Sequence, residues 1–138
     1  MTAMRLASIH EAAHAVVAQA LGFNVEHVSI AQDGSGLTSY VIGDEDTVAG
    51  IEDRIVVTIA GPIASNIIAG TDIYARWHAA DHDKIAALTA MLARRASFPD
   101  LRVLACEQRA AELVRANRRE IEAMADKLIE GQTQDAQG

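Results

Sequence analysis

The sequence predicts a mainly α protein, a compact helical bundle carrying one small β-hairpin. Three observations lead there. Half of the 138 residues are hydrophobic while only 4 % are aromatic, which suits helices packed closely through small side chains. The apolar residues recur at helical spacing in several long stretches. A single pair of β-favouring runs flanks a turn-like Gln32-Asp33-Gly34-Ser35-Gly36, the signature of one hairpin. A chain of this length holds enough apolar material for one core, so residues 1–131 are expected to form one domain, with a polar, disordered tail at 132–138.

From about residue 3 to Leu21 apolar residues, alanines above all, run almost all round a helix, and Gly22 is a natural stop. A helix apolar on every side belongs in the centre of the fold. Val25, Val28 and Ile30 before the turn, and Leu37, Tyr40 and Ile42 after it, form the hairpin. Gly43-Asp44-Glu45-Asp46 is an acidic loop, after which Thr47 or Asp46 caps a second buried helix reaching about Ile68. Gly61-Pro62 is expected to kink or interrupt that helix. The periodicity breaks over residues 70–82, and a third helix follows near 82–96. Pro99 opens a fourth at about 100–116, and Asn117 separates it from a last helix ending near Gly131.

Charge and cysteine content narrow the function. A formal charge of −7, with 19 acidic against 12 basic residues, repels nucleic acid, and Arg94, Arg95, Arg115, Arg118 and Arg119 read as solvated helix faces. The lone Cys106 has no disulfide partner in the chain and sits in a helical pattern as a small hydrophobe, which points to the cytoplasm. The longest apolar stretch, Ile55 to Gly70, falls short of the ~20 residues a bilayer span needs and is interrupted by Pro62, Ser65 and Asn66. No membrane partner is expected.

The chemistry lies in His10-Glu11-Ala12-Ala13-His14. Residues four apart lie nearly above one another on a helix, so both imidazoles can reach one Zn2+ ion. Glu11 is turned about 100° away, beside the metal's open position. From there it can take a proton from a zinc-activated water attacking a peptide carbonyl and pass it to the leaving amine. Inside an apolar helix, two histidines and a glutamate are costly without a partner, which favours a metal site over polar residues on a partly exposed face. The longer metzincin motif is excluded, because Val17 and Ala20 stand where it needs glycine and histidine. A third ligand must come from elsewhere. Asp81, His82 and Asp83 are candidates, with Glu52 a weaker one, and spacing alone does not rank them.

Much of the chain resembles the peptidase domain of FtsH-type ATP-dependent zinc proteases. His-Glu-Ala-Ala-His-Ala-Val-Val-Ala at 10–18 is similar to that family's His-Glu-Ala-Gly-His-Ala-hydrophobic stretch, and Val28-Ser29-Ile30 with Gly36-Leu37-Thr38 to its hairpin. Ile59-Ala60-Gly61 with Ala64 is similar to its Leu-Ala-Gly-Arg-Ala-Ala-Glu helix, Asp81-His82-Asp83 to its Ser-Asn-Asp, and Asn117 to Ile129 to its closing helix. The resemblance implies an FtsH-peptidase-like fold, a protein or peptide substrate, and Asp83 as third zinc ligand. Asp81 is the alternative if the register shifts by two, and His78 and His82 are surface or supporting residues. Either aspartate can also be read as a helix N-cap. The chain departs from the family at Ala13 and Pro62, and it has no Gly-x-x-x-x-Gly-Lys-Ser/Thr loop. The resemblance therefore implies an ATPase partner in trans, and self-assembly, since the family forms hexamers. The expected activity is zinc-dependent endoproteolysis of flexible or unfolded segments. The competing expectation is a non-catalytic helical binding or regulatory module that retains a metal site.

Overall fold

The Thr2 side chain accepts a hydrogen bond from the Arg5 amide at 3.1 Å and caps helix α1, Ala3–Ala20. In the computed structural model, which describes residues 2–43, 46–71, 79–131 and 133–134, every side chain of α1 from Ala7 to Ala18 is buried. No helix among the described residues is long and apolar enough to cross a membrane. The burial of α1 comes instead from its neighbours, since it packs against the hairpin and the second and last helices. Alanines at 12, 13, 15 and 18 let those neighbours approach closely. The helix ends where expected, with Gly22 at φ +90°, a conformation open to glycine and costly for other residues.

Strands β1, Val25–Ile30, and β2, Gly36–Tyr40, form the antiparallel hairpin. The buried positions of β1 are Val25, Val28 and Ile30, a spacing of three and then two rather than strict alternation. A register shift between Val25 and His27 explains it: an extra residue in one strand reverses the facing of what precedes it. The turn is held by Asp33, whose carboxylate accepts from the Ser35 amide at 2.9 Å and hydroxyl at 2.7 Å.

Helix α2, Val48–Ala69, starts at Thr47, whose hydroxyl accepts from the Gly50 amide, and stops at Gly70 in the left-handed region. Asp46 pairs with Arg54 instead of capping. Of the kink or interruption expected at Gly61-Pro62, the interruption does not occur, and the helix runs through Pro62. Proline withholds one hydrogen bond, from the Thr58 carbonyl, but α2 is buried from Ile55 to Ser65, and packing on all sides outweighs the loss of one bond.

Helix α3, Ala79–Ala93, begins three residues earlier than the periodicity suggests, because alanines and Asp81-His82-Asp83 give no apolar stripe to mark its first turn. Asp81 there is favoured by the helix dipole. Helices α4, Pro99–Ala116, and α5, Arg118–Gly131, complete the bundle against α2 and α1. Of the tail read as disordered, Thr133–Gln134 forms a short strand, β3, paired antiparallel with β1, so the sheet order is β2-β1-β3. The remaining tail positions, 132 and 135–138, lie outside the described residues.

Cys106, on α4, is 3 % exposed and its thiol lies 3.7 Å from the Glu52 carbonyl. Burial pushes that thiol up to about 11. At pH 8 the thiolate fraction falls far below that of an ordinary cysteine, so alkylation by iodoacetamide is expected to run about two orders of magnitude slower in native protein than in urea. Equal rates under the two conditions, followed by mass spectrometry, would place Cys106 at the surface.

Candidate metal centre

His10, Glu11 and His14 all project from the buried middle of α1, and ligand atoms of the three lie within 4.8 Å of one another. The two imidazoles meet edge to face, with ring centroids 4.6 Å apart. His14 Nδ1 lies 2.7 Å from the Val57 carbonyl of α2. A carbonyl can only accept, so Nδ1 carries the proton and Nε2 presents its lone pair. Orientation of a ligand ring through its other nitrogen is characteristic of metal-binding histidine.

The carboxylate that meets these rings is Asp81. Its Oδ2 lies 2.8 Å from His10 Nε2 and 3.7 Å from His14 Nε2. Asp83, the ligand implied by the family resemblance, is exposed, and no hydrogen bond or ion pair ties it to either histidine. Helix geometry explains the difference. Two residues advance about 200° around a helix, so with α3 already formed at Ala79, directing Asp81 at the rings directs Asp83 away. His82 is exposed as well, and His78 lies outside the described residues. Glu52 is engaged elsewhere, 3.5 Å from Arg102.

The donor set fits a divalent metal. Ligand atoms of a tetrahedral site with bonds of roughly 2.0–2.1 Å stand about 3.3 Å apart, and the two Asp81 distances bracket that value. Charge is arranged accordingly. Burial pulls His10 below its ordinary pKa, ahead of the opposing hydrogen bond to Asp81. For His14 burial acts in the same sense, but the carboxylates of Asp81 and Glu11 and the Val57 carbonyl together outweigh it and raise the ring. Burial would raise Asp81, yet the hydrogen bond from His10 and the nearness of the His14 ring hold its carboxyl well below the usual range. The Asp81 carboxylate, itself only partly buried, therefore faces two buried imidazoles.

Glu11 is only 8 % exposed. Thr38 of β2 holds it, with a hydroxyl 2.8 Å from Glu11 Oε1 and 3.1 Å from the Glu11 backbone carbonyl. Two glycines make room. A Cβ on Gly36 would meet Glu11 Cγ at 2.6 Å, and one on Gly61 would meet His14 Nε2 at 2.6 Å and His10 Nε2 at 2.8 Å. Sequence reasoning gave Val57 no role, and it placed Thr38, Gly36 and Gly61 in the hairpin and the second helix without a part in shaping the metal site. The two glycines carried a signal all the same, since glycine inside a strand or helix often marks a close approach. A backbone carbonyl such as Val57's carries none. The histidines, Glu11, Asp81 and β2 line one cleft of about 270 Å³.

No curated protein matches the chain. The model of one family, described as Peptidase M50B-like, matches residues 3–96, a span that contains the two histidines, Glu11 and Asp81. That match covers more than half of the chain and coincides with a His-Glu-His cluster able to hold a metal ion, so the protein belongs to the Peptidase M50B-like metallopeptidase family.

Proposed function

We propose that this chain is a zinc-dependent endopeptidase acting on flexible or unfolded polypeptide, with His10, His14 and Asp81 holding the metal and Glu11 as general base. The observation that carries the reading is the convergence of one carboxylate from α3 on two imidazoles of α1, beside a separately held glutamate. Bound zinc would supply Lewis acidity, lowering the pKa of a water to roughly 7 and polarising a peptide carbonyl. Glu11 accepts the proton of the attacking water and returns it to the departing amine nitrogen. Thr38 donates to Glu11 Oε1, which fixes the carboxylate and leaves Oε2 to carry the proton. The Val57 carbonyl keeps the His14 ring in one tautomer.

An extended substrate fits the free edge of β2, the outer strand of the sheet among the described residues. Strand addition there lays a peptide group along Gly36 to Tyr40 beside Glu11. The FtsH-type likeness adds an ATPase partner in trans that would deliver unfolded chains to this edge.

The test compares Asp81→Asn with Asp83→Asn for zinc content and for cleavage of an unfolded, casein-like substrate. Asp81→Asn is expected to weaken zinc by more than the roughly 10–100-fold that loss of a ligand's outer partner costs, and to abolish cleavage. Asp83→Asn should match the parent protein in both. The opposite pattern returns the third ligand to Asp83. Stoichiometric zinc with no turnover in the parent protein, together with a tightly bound protein partner, identifies a binding module instead.

A further inference from the structure

Among the described side chains that line the metal cleft, Lys84 is the one lysine or arginine. It follows Asp81 by three residues on α3, and positions three apart share a helix face. Its ammonium stands 5.8 Å from the centroid of the Tyr40 ring, within the ~6 Å reach of a cation–π contact. Among the described residues no carboxylate pairs with it. The ring thus seats the lysine without neutralising it, in a protein whose net charge is −7.

Tyr40 also fixes where this charge falls along a substrate. Gly36, Thr38 and Tyr40 alternate along β2 and so share one face, the face on which Gly36 and Thr38 approach Glu11. Tyr40 is two residues beyond Thr38, about 6.7 Å at the rise of a strand. A peptide lying along β2 has the same repeat, so a side chain two residues from the reacting peptide group comes to Tyr40 and Lys84.

We propose that Lys84, seated over the Tyr40 ring, is a specificity-determining residue that selects substrates bearing an aspartate or glutamate two residues from the cleaved bond. The inference rests on the endopeptidase reading and adds its substrate class. An ammonium has three donors, and contact with the ring leaves donors directed into the cleft, where a carboxylate can accept them. Glu11 and Asp81 repel such a carboxylate nearer the centre, which confines the preference to the Tyr40 end.

The experiment uses the zinc-loaded full chain and a set of peptides blocked at both ends, in which glutamate, glutamine or lysine is scanned through each position around the cleaved bond. Blocked ends leave the scanned side chain as the only variable charge. At one position two residues from the bond, kcat/KM is expected to favour glutamate over glutamine by about fivefold, the upper range for a partly exposed ion pair. Lys84→Ala should bring that ratio to about one, and Lys84→Glu should invert it in favour of lysine. Cleavage by the parent protein without charge preference, or a preference that survives both substitutions, overturns the role of Lys84 and leaves the peptidase reading standing. Failure of the zinc-loaded parent to cut any peptide overturns both.

Discussion

Glu11→Gln is expected to bind zinc like the parent protein and to lose proteolysis by about 10²–10⁴-fold, the range associated with removing a general acid–base. The side chain keeps its length and an oxygen that can still accept from Thr38 at the position of Oε1, so folding and the cleft wall are preserved. What disappears is the group that takes a proton, because an amide nitrogen is not basic near neutral pH. Metal content per chain and turnover of an unfolded substrate, measured on the same preparation, separate the two effects. Undiminished cleavage by the glutamine variant would remove Glu11 from the mechanism, and loss of zinc would show that the carboxylate is a ligand.

This contrast was readable in part from spacing alone. A four-residue interval on a helix fixes where two imidazoles go, and the adjacent glutamate follows from the same rotation. The central position of α1 was equally legible, because a stretch apolar on every side has to be surrounded. The third carboxylate was not. Asp81 and Asp83 are the same residue type two positions apart, and which one faces the histidines depends on the phase of α3. That phase depends in turn on where the helix begins, and Ala79 and Ala80 gave no apolar contrast from which to read it. The uninterrupted α2 is a similar case, in which local proline chemistry argues for a break and long-range burial overrides it. The bulge in β1 was visible only indirectly, as the irregular spacing of Val25, Val28 and Ile30.

Gly61 provides the second large effect, since local propensity and tertiary packing there predict opposite signs. In the interior of a helix, glycine to alanine ordinarily stabilises by ~1 kcal/mol, and α2 runs unbroken through this position. Here the added methyl would lie 2.6 Å from His14 Nε2, 2.7 Å from His14 Cε1 and 2.8 Å from His10 Nε2. Neither ring can yield cheaply, because His14 is bound to the Val57 carbonyl and both are enclosed by the core. Gly61→Ala is therefore expected to destabilise the metal-free protein by roughly 1–3 kcal/mol, as overpacking does, and to weaken zinc at least as much as loss of an outer partner, about 10–100-fold. Gly61→Val should do more of both. The displaced atoms are the nitrogens that would face the metal, so the loss in affinity should exceed what general loosening of the core produces. A core truncation of matched destabilisation, such as Ile59→Val, provides that comparison in thermal melts and zinc titrations. An alanine variant that melts above the parent and binds zinc equally well would show that α2 does not press on the histidines, and that the site owes its shape to α1 and α3 alone.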